Sequence, residues 1–399
     1  MNGMSSRERV LTSLDHKEPD RVPIDVGGGL CSISQFSYRK LLDRLGWQED
    51  IVIAGMLTQV VKPSQRMLER LGSDFWHIFA SPPDKKIAKD LVGSASDPFD
   101  KYISDEGKSH TFMDEWGVVW QRAAYYYDMI DFPMKKAETL EDLNAYQVPD
   151  PLDPGRIRGL AERAKMGRDM GLSVTLDPLA GGIIEMGNSI RGHKGFFTDM
   201  AGNQDMADSL LDRITDFFEA FYGAALREAG EFIDIVFFGD DYGMQSGMLI
   251  SPRMWRRMIK PRLARLIRKI KSTAVVRVQL HSCGAIAPIL PDLIEIGVDI
   301  LNPLQPSAEG MLLKDFKKQY GSNLVFHGVI DQQGTLPHGT PQDVRQEVIT
   351  RLRDLAPGGG YIVAVSPNIQ ADVPPENILA LFDSVRELGR YPINLECSQ

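Results

Sequence analysis

The sequence predicts an α/β fold, a (β/α)8 TIM barrel with an N-terminal insertion that contains a hairpin. Three observations predict it. From Gly155 onward, short apolar runs alternate with helical segments, which is the signature of a mainly parallel sheet. Runs at 172–176, 233–238, 275–280, 298–301, 324–326 and 361–365, added to two earlier ones, make eight strands. Polar residues then collect directly after nearly every run, at the end where an α/β barrel assembles its active site.

Taken in order, residues 6–15 predict a short helix with Val10, Leu11 and Leu14 on one face, stopped by Pro19 and Pro23. The first strand, 21–26, carries Asp25 near its end as a site candidate and runs into Gly27-Gly28-Gly29. Lacking G-x-G-x-x-G spacing, these glycines predict a tight turn and not a phosphate cradle. Helices follow at 38–45 and 63–71, and the second strand at 74–79. Between 81 and 154 the aromatic runs Trp116-Gly117-Val118-Val119-Trp120 and Tyr125-Tyr126-Tyr127 predict an antiparallel hairpin, in an insertion covering one end of the barrel. Residues 1–399 are thus read as a single barrel domain. The helix 205–229 shows Leu210, Ile214, Phe217, Phe221 and Ala225 on one face, as an outer barrel helix should. Ser251-Pro252 opens the next helix, whose basic stripe from Arg253 to Lys271 is read as a solvated outer face.

Composition narrows the function classes. Of 399 residues 43% are hydrophobic, 25% charged and 8% aromatic, enough for a sizeable core. A net charge of −9 argues against a nucleic-acid binder, because phosphate binding needs a basic face. The cysteines Cys31, Cys283 and Cys397 lie far apart, make no disulfide framework, and predict a reducing, cytoplasmic setting. The first residues lack an apolar export segment, and no run of about 18 apolar residues predicts a membrane span.

The stretch His281-Ser282-Cys283-Gly284 closes the fifth strand. Two residues apart in an extended segment, His281 and Cys283 point to the same side, so imidazole nitrogen and sulfur can grip one metal ion. Asp240 follows the adjacent fourth strand and is placed in the same pocket, unless it caps a helix instead. Tyr242, Gln245, Asn302, Gln305, Asp331 and Asn368, all after strand ends, are read as substrate-binding positions around the rim.

Several motifs carry a family resemblance: Glu18-Pro19-Asp20-Arg21-Val22-Pro23, Asp240-Asp241-Tyr242-Gly243, Lys260-Pro261, His281-Ser282-Cys283-Gly284, Gly328-Val329-Ile330-Asp331 and Pro374-Pro375-Glu376-Asn377-Ile378. Together they resemble the uroporphyrinogen decarboxylase superfamily over essentially the whole chain, which implies one (β/α)8 barrel. The chain looks closer to the cobalamin-dependent methyltransferase branch than to the haem-pathway decarboxylase. Decarboxylases carry an M-R-Q-A-G-R-Y type motif near the first strand, whereas this chain reads Asp25-Val26-Gly27-Gly28-Gly29-Leu30-Cys31, without arginine.

The methyltransferase branch is similar in binding zinc through H-x-C and a later cysteine. His281 and Cys283 match the first two ligands, but no cysteine stands near Ser366-Pro367-Asn368, and Cys397 is in the tail. A third ligand is therefore expected from His327, Asp240, Glu185 or Asn368. The resemblance implies transfer of a methyl group between a small methylated substrate, ether or amine, and cobalamin carried by a partner corrinoid protein. Asp240, Asp241 and His281 would be the catalytic residues. The alternatives are a cofactor-independent decarboxylase of a carboxylated substrate and a barrel that binds a small molecule without turnover.

Overall fold

Eight strands frame the protein: β1 Ile24–Asp25, β2 Phe75–Ile78, β3 Ser173–Leu176, β4 Ile235–Gly239, β5 Arg277–His281, β6 Ile300–Asn302, β7 Val325–Ile330 and β8 Tyr361–Val365. The computed structural model describes residues 3–85, 111–365 and 367–395. The strands pair in parallel in the order β1-β8-β7-β6-β5-β4-β3-β2. At the seam, the Asp74 N–H donates to the Ile24 carbonyl at 2.8 Å, and the Asp74 carboxylate accepts the Ile24 N–H at 2.9 Å. The sheet is thereby nearly closed into the expected barrel, with helices between successive strands.

Two strand lengths differ from the sequence reading. β1 holds two residues in the sheet and not six, because Pro23 removes a ladder donor near its start. β7 runs on to Ile330 through Gly328 at φ 92° and Val329 at φ 80°, a glycine interruption that breaks the apolar run without ending the strand.

Residues two apart on a strand face the same way, so the barrel interior is layered. Phe75, Ile235, Ile300, Val325 and Ile362 form one apolar cluster with Val10 and Leu14. The helix Ser6–Leu14 therefore seals the N-terminal end of the barrel. Two residues further along β2, β4, β6 and β7 come His77, Phe237, Asn302 and His327. A polar layer lies on the apolar floor.

Outside the strands, the helix Gln204–Ala229 buries Leu210, Ile214, Phe217, Phe221 and Ala225, as its periodicity predicts. The basic stripe is not merely solvated. Arg262 pairs with Asp208 and Asp212 at 3.0 and 2.7 Å, Arg265 with Glu219 at 3.1 Å, and Lys260 with Asp292 and Glu295 at 2.8 and 2.7 Å. Its partners are acids of this same chain. Among the described residues the antiparallel element has three strands, Thr111–Met113, Val119–Ala123 and Tyr126–Asp131, one more than a hairpin. It reaches the C-terminal end of the barrel through Tyr126, whose hydroxyl bonds Gln370 just beyond β8. Among the described residues no helix is long and apolar enough to cross a membrane.

Candidate functional site

Register alone brings the first residues together. His281 stands opposite Gly239 of β4 on one side and Asn302 of β6 on the other, so the turns after β4 and β5 leave the barrel side by side. They are locked by backbone and side chain: Asp240 N–H donates to the His281 carbonyl at 2.9 Å, Tyr242 N–H to Ser282 Oγ at 2.9 Å, and Cys283 N–H to Asp241 Oδ1 at 2.6 Å. Gly284, at φ 83°, is required here, since a Cβ on it would stand 2.5 Å from the Gly243 carbonyl carbon.

Asp241, His281 and Cys283 converge at this mouth, with ligand atoms all within 4.8 Å of one another. Cys283 Sγ lies 3.4 Å from His281 Nε2, which lies 3.6 Å from Asp241 Oδ1. In a tetrahedral zinc site with bonds of about 2.0–2.3 Å, donors stand roughly 3.3–3.8 Å apart, so the three residues fit that ion. Asp241 and Cys283 are half-buried, which leaves room for a further ligand from solvent or substrate. Without a cation the Cys283 thiol stays protonated: burial, then the charges of Asp241 and Glu185, push it up.

None of the four residues expected to supply the third ligand stands in this triad. Asp240 is fully buried, and its carboxylate accepts the N–H groups of Ile184 and Glu185 at 3.0 and 3.1 Å. It caps the helix Ile183–Arg191, the structural alternative raised by its position after a strand. Glu185 accepts the Gly182 N–H at 3.0 Å, and Asn368 holds Ser32 N–H and the Gly29 carbonyl at 2.7 and 3.0 Å. Burial foremost pushes Asp240 up to about 7 and, with Asp241 and Asp240 nearby, Glu185 up to about 8.

His327 belongs to a buried relay beneath the mouth. Asp25 accepts from His327 Nε2 at 2.8 Å and from His77 Nε2 at 2.7 Å, and His77 Nδ1 lies 2.7 Å from Asp177. Burial pulls the His77 imidazolium down, but the carboxylates of Asp25 and Asp177 outweigh it and raise it well above its ordinary value. For Asp25 burial likewise opposes the charge, and His77 and His327 win, holding the carboxyl below its usual range.

These charges fix the remaining protons. With Nε2–H given to Asp25, His327 Nδ1 is an acceptor and takes the Asn302 amide N–H at 2.6 Å. Asn302 Oδ1 then faces His281 Nδ1 at 2.5 Å, which must donate. His281 Nε2 is left as a lone pair aimed at Cys283 and Asp241, the tautomer a metal ligand needs.

The other expected rim positions separate. Gln305 accepts the Gly284 N–H at 3.0 Å and shapes the mouth from behind. Tyr242 is fully buried with its ring against Trp255 at 5.6 Å, so it packs in place of facing a ligand. Gln245 is exposed and bonded to Gln333 at 3.2 Å, while Asp331 accepts the Gln333 N–H at 2.9 Å and stabilises its own turn. Ser366 and Cys397 lie outside the described residues. Reading the sequence did not single out His77, Asp177 or Cys31 as one group. The available signal was a polar residue inside an apolar strand run, as in Phe75-Trp76-His77-Ile78.

Comparison with known proteins adds to this geometry. The sequence profile of the family described as uroporphyrinogen decarboxylase (URO-D) matches residues 130–388, well over half the chain. Two curated relatives are each described as a uroporphyrinogen decarboxylase. The one from Pseudoalteromonas translucida (strain TAC 125) is 35% identical over 77 residues, 19% of this chain and 21% of its own. The one from Psychromonas ingrahamii is 36% identical over 73 residues, 18% of this chain and 20% of its own. These matches span only about a fifth of the relatives' length. Among solved structures, a methyltransferase from Methanosarcina mazei is similar at TM-score 0.63 and 19% identity, covering 96% of this chain and 99% of that one. That likeness shows the fold.

Proposed function

Taking as premise that this chain belongs to the uroporphyrinogen decarboxylase family, we propose that it is a corrinoid-dependent methyltransferase. It moves a methyl group between a small methylated substrate, an ether or an amine, and cobalamin carried by a partner protein. The observation that carries this reading is the Asp241–His281–Cys283 triad at the barrel mouth, three donors spaced for zinc with an open side. The similar Methanosarcina protein, by its description a methyltransferase, supports the same branch.

Zinc bound there would supply Lewis-acid polarisation of the substrate heteroatom. The chain's own residues do the rest. His281 is held in its ligating tautomer by Asn302, and Asp241 is fixed by the Cys283 N–H. Glu185, kept protonated near neutrality by burial, stands by the mouth as a proton source for the leaving group. Asp240 organises this acid by capping the helix that carries it, so its part is positioning. Against decarboxylation, the segment 25–31 holds no arginine for substrate carboxylates, and Asp25 within it is committed to His77 and His327.

The test is methyl transfer to a corrinoid protein reduced to cob(I)alamin, followed by the absorbance of methylcobalamin, with a panel of methyl ethers and methylated amines. Formation of methylcobalamin with at least one donor is expected, lost in Cys283→Ser. Release of carbon dioxide from a carboxylated substrate, with no methylcobalamin from any donor, would overturn the proposal.

A further inference from the structure

A second set of metal-ligand residues lies inside the barrel, and the geometry points to it as a buried zinc site formed by Asp25, Cys31 and His77. Their ligand atoms all lie within 4.8 Å of one another, and all three residues are buried. Cys31 Sγ stands 3.6 Å from Asp25 Oδ2 and 3.9 Å from His77 Nε2. A tetrahedral zinc ion needs roughly 3.3–3.8 Å between such donors, so the 2.7 Å contact of His77 Nε2 with Asp25 Oδ1 has to open by about 0.6 Å and the 3.9 Å separation of Cys31 from His77 to close by about 0.1 Å.

Two features independent of the triad favour a metal. Asp177 already accepts from His77 Nδ1 at 2.7 Å, the carboxylate–histidine arrangement that orients a zinc-bound imidazole. Gly28 brings the chain over the site: a Cβ there would stand 2.6 Å from the His77 ring and 2.9 Å from Cys31 Sγ. A turn without side chains thus presses the thiol of Cys31 onto the two β-strand residues.

Charge balances in the exchange. Zinc enters as two protons leave, one from His77 Nε2 and one from the Cys31 thiol. The buried group of Asp25, Cys31, His77 and Asp177 carries one net negative charge before and after. Complete burial keeps substrate away from the ion, in contrast to the half-open mouth.

The experiment uses the full chain with the mouth ligand removed. Elemental analysis of Cys283→Ser, purified without chelator, is expected to find one zinc per chain, and that zinc is lost when Cys31→Ser is added. A metal-free Cys283→Ser protein overturns the inference. So does a Cys283→Ser, Cys31→Ser protein that keeps its zinc. Because Cys31→Ser can impair folding, cobalt(II) gives a second measurement. In a Cys283→Ser, Cys397→Ser protein Cys31 is the only thiol, and cobalt(II) binding is expected to bring a near-ultraviolet thiolate-to-cobalt charge-transfer band. Its absence overturns the inference as well. The site does not depend on the methyl-transfer reading, which is checked by zinc retained at the mouth in Cys31→Ser.

Discussion

The mouth and the interior of this barrel hold the same donor types, one aspartate, one histidine and one cysteine, in opposite surroundings. At the mouth the carboxylate and the thiol are half-buried, and the partners of the triad are backbone groups and one amide. Inside, every member is buried, and carboxylate and imidazolium satisfy one another. The contrast separates stability from chemistry: side chains that a substrate can reach must stay under-satisfied, while those that hold strands together must not.

The largest expected effect breaks the interior. In chelator-treated protein Asp25→Asn removes the charge shared by His77 and His327, leaving a buried imidazolium with one carboxylate, and should cost about 3–5 kcal/mol of unfolding free energy in urea. An unchanged midpoint, or a comparable loss in Cys283→Ser at the mouth, would erase the distinction between the two regions.

Asn302 joins them, and its removal sharpens the comparison. Asn302→Ala frees His281 to change tautomer, so zinc affinity at the mouth should fall about 10–100-fold in a competition titration with a chromophoric chelator. Stability should fall less than in Asp25→Asn. Undiminished affinity would mean that His281 needs no support from the relay.

The smallest effect is in pH. Asp240 and Glu185 are pushed up to about 7 and about 8, above their ordinary values of 3.8 and 4.5. Groups raised on folding contribute stability fully below the unfolded value and lose it as pH climbs through the folded one. Chelator-treated protein should therefore be less stable at about pH 9 than at about pH 7, by on the order of 1–2 kcal/mol, and Asp240→Asn should flatten the slope. A melting temperature that rises over this window contradicts buried, proton-bearing carboxyls at the mouth.

Legibility in the sequence follows the same division. Strand ends and the His281–Cys283 pair could be read because polar residues after apolar runs mark one face of a barrel. The third donor could not. Choosing between Asp240 and Asp241 depends on which carboxylate meets the helix Ile183–Arg191, a contact between segments more than 50 residues apart. The interior group was hidden for another reason. Asp25, His77 and His327 sit within β-strand runs, where one polar residue barely lowers the apolar signal, and only strand pairing shows that they share a layer. β1 was overread because prolines keep the extended shape of a strand while denying it hydrogen bonds.

The Asp25–His327 contact spans 302 residues, and that distance sets an order of events during synthesis. At about 5–20 residues per second, Asp25 is synthesised on the order of 15–60 s before its partner. The floor helix and the first strands must persist over that time as an open, unfinished sheet with unpaired edges. Barrel closure is then a late, long-range step, slow for entropic reasons.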